Sequence, residues 1–134
     1  MAQQDKIKRE IDRIGLALAK LLGLLLHKNN NNDEAVKDIV RQTQDELNID
    51  LPAFLLMNNN DSIQYLAKEK NFSADHLRAF ANLLFEASAN TTDQQQQGKL
   101  KMKALAIYEH INANANGIVY LDVLYRIKEL RTNS

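Results

Sequence analysis

The 134-residue sequence contains no cysteine, no tryptophan and a single proline. The absence of cysteine excludes disulfides and thiolate metal sites. It fits a reducing cytoplasm, which is the location expected. An excess of either charge is also missing, because 17 basic residues face 17 acidic ones. That balance argues against a dedicated nucleic-acid binder. No apolar run is long enough for a bilayer: Ile14–Leu26 holds 13 residues with Lys20 inside, against the ~20 that a membrane span needs. Asp5, Glu10 and Asp12 precede that run and no small-x-small cleavage site follows, so it does not read as a secretion signal. No segment alternates with period two for long, which leaves no strands and no βαβ units.

Chemical motifs are equally scarce. His27, His76 and His110 lie outside any H-E-x-x-H pattern, and none has a glutamate three residues before it. Surface or helix-capping roles are expected for all three. There is no glycine-rich phosphate loop and no G-x-S-x-G, and Ser62, Ser73 and Ser88 lack the context of a nucleophile. No catalytic residue, metal ligand or cofactor is assigned.

What the sequence does have is helical periodicity. Ile7, Ile11, Ile14, Leu18, Leu21, Leu22 and Leu25 recur at steps of three and four. Leu16, Ala17, Leu24 and Leu26 add apolar surface outside that stripe, so this helix (about Gln4 to Lys28) needs cover on several sides. The cover comes from the rest of the chain or from a partner. Asn29–Asn32 then punctuate the chain. Asp33 reads as the N-cap of a second helix ending near Asn48, in which Thr43 fills an apolar position. Pro52 opens a short helix to Met57, and Asp61 caps another that ends near Asn71. Ser73 caps a strongly apolar helix, about Ala74 to Ala89, whose polar residues Asp75, Arg78, Asn82 and Glu86 form one stripe. Asn90–Gln97 reads as a flexible loop. Helices over about Gly98–Asn114 and Ile118–Arg131 follow, separated by the Asn116-Gly117 turn. The expected fold is an all-α bundle of four long and two short helices in one domain, with residues 1–72 as its N-terminal helices and 73–134 as its C-terminal half.

The C-terminal half carries a resemblance. ANLLFEAS, a connection and KALAIYEHI, with Ala104 and Tyr108 four apart, resemble the helical hairpin of tetratricopeptide repeats. The connection through Gln94–Gln97 is long for that repeat, and no proline follows Ile111. As a whole the chain resembles small uncharacterised bacterial all-helical proteins with an apolar first helix and a repeat-like tail. The resemblance implies no activity, but it implies a clamp. Repeat proteins that hold an acidic peptide C-terminus use a basic residue followed by asparagine one turn on, and Arg78 and Asn82 are so spaced.

The expected function is a non-catalytic protein–protein interaction or self-association module. Its partner is a second copy, as a homodimer, or another protein, with no nucleic acid involved and no membrane surface expected. Candidate binding residues are Arg78, Asn82, Glu86 and Tyr108, and candidate interface residues are Leu18, Leu22 and Leu25. The competing reading is a small enzyme or ligand carrier with a pocket between helices, lined by Arg78, Asn82, Tyr108 and His110. A basic-aromatic surface of Lys101, Lys103 and the C-terminal tyrosines is a lesser alternative to tyrosines buried in the core.

Overall fold

The computed structural model describes residues 2–26 and 33–132, with the side chains of 9, 12–26 and 33–132. These residues form seven α-helices: α1 (Ala2–Leu26), α2 (Asp33–Leu47), α3 (Leu51–Leu56), α4 (Asn59–Gln64), α5 (Ala74–Asn90), α6 (Gln94–Ala113) and α7 (Leu121–Thr132). No strand occurs among them. A π-helical turn, Tyr65–Glu69, continues α4. Five of the helices are long and two short, which corrects the expected count of four long and two short but agrees with the segments traced along the sequence. The side chains of Ile7 and Ile11, and the whole of His27, Lys28 and Asn29–Asn32, lie outside the described residues.

The fold is built around α1 and α5. Ile14, Ala17, Leu18, Leu21 and Leu25 form the buried face of α1, which packs against α2 and α5. Each such leucine contributes about 2 kcal/mol through the apolar area it removes from water. The chain therefore supplies the cover that the apolar first helix requires. α5 is the hub. It packs most extensively on α6, and then on α1 and α2. Phe80, Ala81, Leu83 and Leu84 are fully buried within it. α7 packs on α6. The α3–α4 corner closes one end of the core with Phe54, whose ring meets Phe80 edge-on at 5.4 Å between centroids. Phe72 meets Phe80 in the same way at 5.8 Å. Such edge-to-face contacts are favoured by the ring quadrupoles.

The helix ends follow from short polar side chains. Asp50 accepts from Ala53 N ahead of Pro52, and Asn58 accepts from Asp61 N. The cap of α4 is thus Asn58 rather than Asp61. Ser73 and His76 form a reciprocal capping box: Ser73 Oγ accepts from His76 N, and His76 Nδ1 accepts from Ser73 N. Asp33 is the first residue of α2, and its carboxylate reaches across to accept from Thr92 N and Thr92 Oγ1 at 2.9 and 2.7 Å.

Two boundaries differ from expectation. Gln94–Gln97 do not form a loop but the first turn of α6. Asp93 Oδ1 accepts from Gln95 N and Gln96 N, and glutamine propagates a helix once capped. The connection between α5 and α6 shrinks to residues 91–93. At the other end, α7 starts at Leu121, not Ile118, because Asn116 and Gly117 both take positive φ and the chain leaves the turn extended.

Candidate functional site

A groove runs along α5 between α1 and α7. The three helices point the same way. Asp12 of α1 lies by Asp75 of α5, and Leu22 and Leu26 lie by Asn82 and Glu86. Asp122 and Arg126 of α7 line the second of these regions. The groove opens into two clefts in line. The first, of about 510 Å³, is bounded by Asp12, Gly15, Leu16, Asp75, His76 and Ala79. The second, of about 230 Å³, is bounded by Leu22, Leu26, Asn82, Glu86, Asp122 and Arg126. The sequence explains this shape. Asp75, Ala79, Asn82 and Glu86 share one face of α5, and the small side chains of Gly15 and Ala79 leave room between the helices.

In the second cleft the buried Tyr108 hydroxyl donates to Asn82 Oδ1 at 2.5 Å, and the Arg126 cation acts on that hydroxyl electrostatically. Asn82, its oxygen engaged by Tyr108, lines the cleft. Tyr108 itself is fully buried. Burial pushes its phenol well above the ordinary value. Glu86 and Asp122 push the same way, and Arg126 opposes them. The hydroxyl therefore stays protonated and holds the amide across the whole ordinary pH range. Arg126 also lies 4.1 Å above the Phe85 ring and pairs with Glu129 at 3.1 Å and Glu86 at 3.8 Å.

The sequence-derived binding residues separate into two groups. Asn82, Glu86 and Tyr108 come together, with Arg126 as their cation. Arg78 belongs to a neighbouring set: it pairs with Asp75 at 3.5 Å and Asp122 at 3.8 Å and stacks over Tyr120. Its guanidinium thus faces carboxylates already present, and four acids, Asp12, Asp75, Glu86 and Asp122, line the two clefts. That surrounding disfavours the acidic-peptide clamp. His110 lies apart from the cleft, with its ring beside Asn114. Of the candidate interface residues, Leu18 and Leu25 are buried in the chain's own core, and only Leu22 reaches the groove. The α1 leucines that do face outward are Leu16, 72% exposed, and Leu26, 60% exposed.

A second polar cluster lies under the α3–α4 corner. Lys103, 4% exposed, donates to Met57 O, to Asn59 Oδ1 at 3.2 Å and to Ser62 Oγ at 2.7 Å, above the Phe54 ring. Burial pulls its ammonium below the ordinary lysine value. A serine beside a lysine of lowered pKa is the pairing that nucleophilic catalysis uses. Here Ser62 Oγ donates to Asn58 O at 2.8 Å and is 1% exposed. Neither residue lines either cleft of the groove. With all three ammonium protons used on protein oxygens, the cluster is a structural clamp between α6 and the corner. It also withdraws Lys103 from any basic-aromatic surface. Among the described residues no group of three or more histidines or carboxylates is placed to hold a metal ion, and no helix is long and apolar enough to cross a membrane.

Sequence reasoning missed Arg126, Asp122 and Leu26 as groove residues. Arg126 and Asp122 were legible only as an (i, i+4) pair on the last helix. Nothing in the sequence says that this pair faces the Asp75–Glu86 stripe, because that depends on how α7 sits over α5. No protein-family model, curated protein or solved structure matches this chain.

Proposed function

We propose that this chain is a non-catalytic interaction module whose α1–α5–α7 groove receives a polypeptide segment of a partner protein. The observation that carries the reading is the composition of the two open clefts along α5, where the exposed Leu16 and Leu26 and the half-buried Leu22 of α1 stand among carboxylates. An open, elongated channel suits an extended or helical segment better than a compact metabolite. Leu16, Leu22 and Leu26 favour apolar side chains. Asp12, Asp75, Glu86 and Asp122 favour basic ones. Asn82 adds an uncharged polar group to the second cleft.

The test is a titration of the isotope-labelled chain with two helical peptides, one built from leucine and lysine and the other from leucine and glutamate. The leucine–lysine peptide is expected to shift amide resonances along Asp12–Leu26, Asp75–Glu86 and Asp122–Arg126. The double variant Asp75→Lys, Glu86→Lys is expected to weaken its binding about tenfold or more. Shifts scattered over the whole surface, or equal response to the leucine–glutamate peptide, would sink the reading.

A further inference from the structure

A different surface, around the start of α7, gathers exposed apolar side chains. Most of the large exposed hydrophobic side chains are gathered in one short segment. Ile118, Val119, Leu121, Leu124 and Tyr125 are between 40% and 77% exposed, within eight residues. Leu121 and Tyr125 are one turn apart on the outer face of the first half of α7, which continues into the exposed Lys128 and Thr132, and the opposite face buries Val123, Ile127 and Leu130. From ordinary residue areas the five side chains present on the order of 600 Å², the upper end of what a monomer usually gathers in one patch. With its rim the face approaches the ~800 Å² per partner of a standard stable interface.

The rest of the surface constrains the occupant. The most exposed residues of α2 are Glu34, Lys37, Arg41, Gln44 and Asp45, with ion pairs between Glu34 and Lys37 and between Asp38 and Arg41. That surface offers nothing apolar for α7, so head-to-tail stacking of α7 on α2 is disfavoured. Leu16 and Leu26 stand about 15 Å apart along α1 and make no comparable patch. The apolar face best matches itself. The acids bordering it are already neutralised within the chain, Asp122 by Arg78 and Glu129 by Arg126, so two copies do not bring unpaired carboxylates together. A formal net charge of zero adds no long-range repulsion.

We infer that two copies of the chain associate through the outer face of α7 about a twofold axis, with Leu121 and Tyr125 at the centre of the contact. A face that meets itself closes the assembly at two copies. This inference does not depend on the groove, whose peptide binding is read separately.

Sedimentation velocity on the full chain over a wide concentration range tests it. The unmodified chain is expected to pass from monomer to dimer with increasing concentration. The double variant Leu121→Glu, Tyr125→Glu alters only exposed side chains, so it should keep its helical circular dichroism and melting temperature. It is expected to weaken association by more than about a hundredfold. Leu16→Glu, on α1, should leave association unchanged. Because the chain has no cysteine, Leu121→Cys introduces a single thiol. That variant is expected to cross-link into a dimer on mild oxidation, whereas Lys37→Cys on α2 is not. A chain that stays monomeric at hundreds of micromolar overturns the inference and leaves the face to another protein or a lipid surface. Assembly beyond dimers, or a dimer dissociated by Leu16→Glu and not by the α7 variant, overturns it as well.

Discussion

Lys103 gives its three N–H bonds to Met57 O, Asn59 Oδ1 and Ser62 Oγ, and no carboxylate is among these partners. Replacing it with methionine keeps the aliphatic stem but leaves buried oxygens without a donor. Each oxygen so stranded costs about 1–3 kcal/mol unless the corner relaxes. Lys103→Met is therefore expected to lower stability by roughly 2–4 kcal/mol at neutral pH in urea titrations. The pH dependence gives a second readout. The folded-state pKa of Lys103 lies below 10.5, its ordinary value. Between those two values the unfolded chain holds a proton that the folded chain has released, so stability rises with pH in that window. The variant lacks this rise, and the stability gap between the two proteins should widen as pH approaches 10.5. Tyr65 and Tyr108, both raised by burial, act oppositely. Above pH 10 the unfolded chain loses phenolic protons that the folded chain keeps, and both proteins lose stability alike. A gap that stays constant from pH 8 to pH 11 would count against the assignment of Lys103.

At the scale of the element, Asp93 decides the structure of the four glutamines that follow it. With its two bonds to Gln95 N and Gln96 N it turns a polar tract into the first turn of α6. Gln97 Nε2 then returns to Ser88 O at 3.1 Å and ties that turn to α5. Asp93→Ala is expected to cost about 1 kcal/mol and to raise amide hydrogen exchange in Gln94–Gln97 selectively. Uniformly altered exchange through α6 would mean that the cap is not what holds this turn. The same tract shows where sequence legibility stops. Periodicity locates a helix only where apolar residues recur, and Gln94–Gln97 contain none, so the tract read as a loop although a cap stood before it. Ser73 was legible because an apolar helix follows it at once. Asparagine is similarly ambiguous. Asn48, Asn71 and Asn116 take the left-handed conformation that ends helices and forms turns, whereas Asn58 starts one.

For the whole molecule, the question the sequence raises is which of its apolar residues serve the core and which face outward. The stripe at steps of three and four identified α1 and α5 and most of the core that joins them, including Thr43 at an apolar position. It placed Leu18 on the stripe and Leu16 outside it, but could not say whether Leu16 is covered, because the helix is apolar nearly all round. Packing separates them: Leu18 is sealed under α2 and α5, while Leu16 stands on the wall of the groove. The groove floor was legible as the Asp75–Glu86 stripe. Its α7 wall was not, since the pairing of Arg126 with Glu86 depends on how α7 sits over α5. The two leucines therefore report on different properties. Leu18→Ala opens a cavity in a core that cannot fully collapse and is expected to cost about 3 kcal/mol, within the usual range of ~2–5 for such truncations. Leu16→Ser removes little buried area and is expected to change stability by no more than about 0.5 kcal/mol, while weakening the leucine–lysine peptide at the groove through the lost apolar contact. Chemical denaturation of the two variants, followed by the peptide titration, distinguishes the roles. Equal destabilisation by both would place Leu16 in the core and remove one wall of the groove.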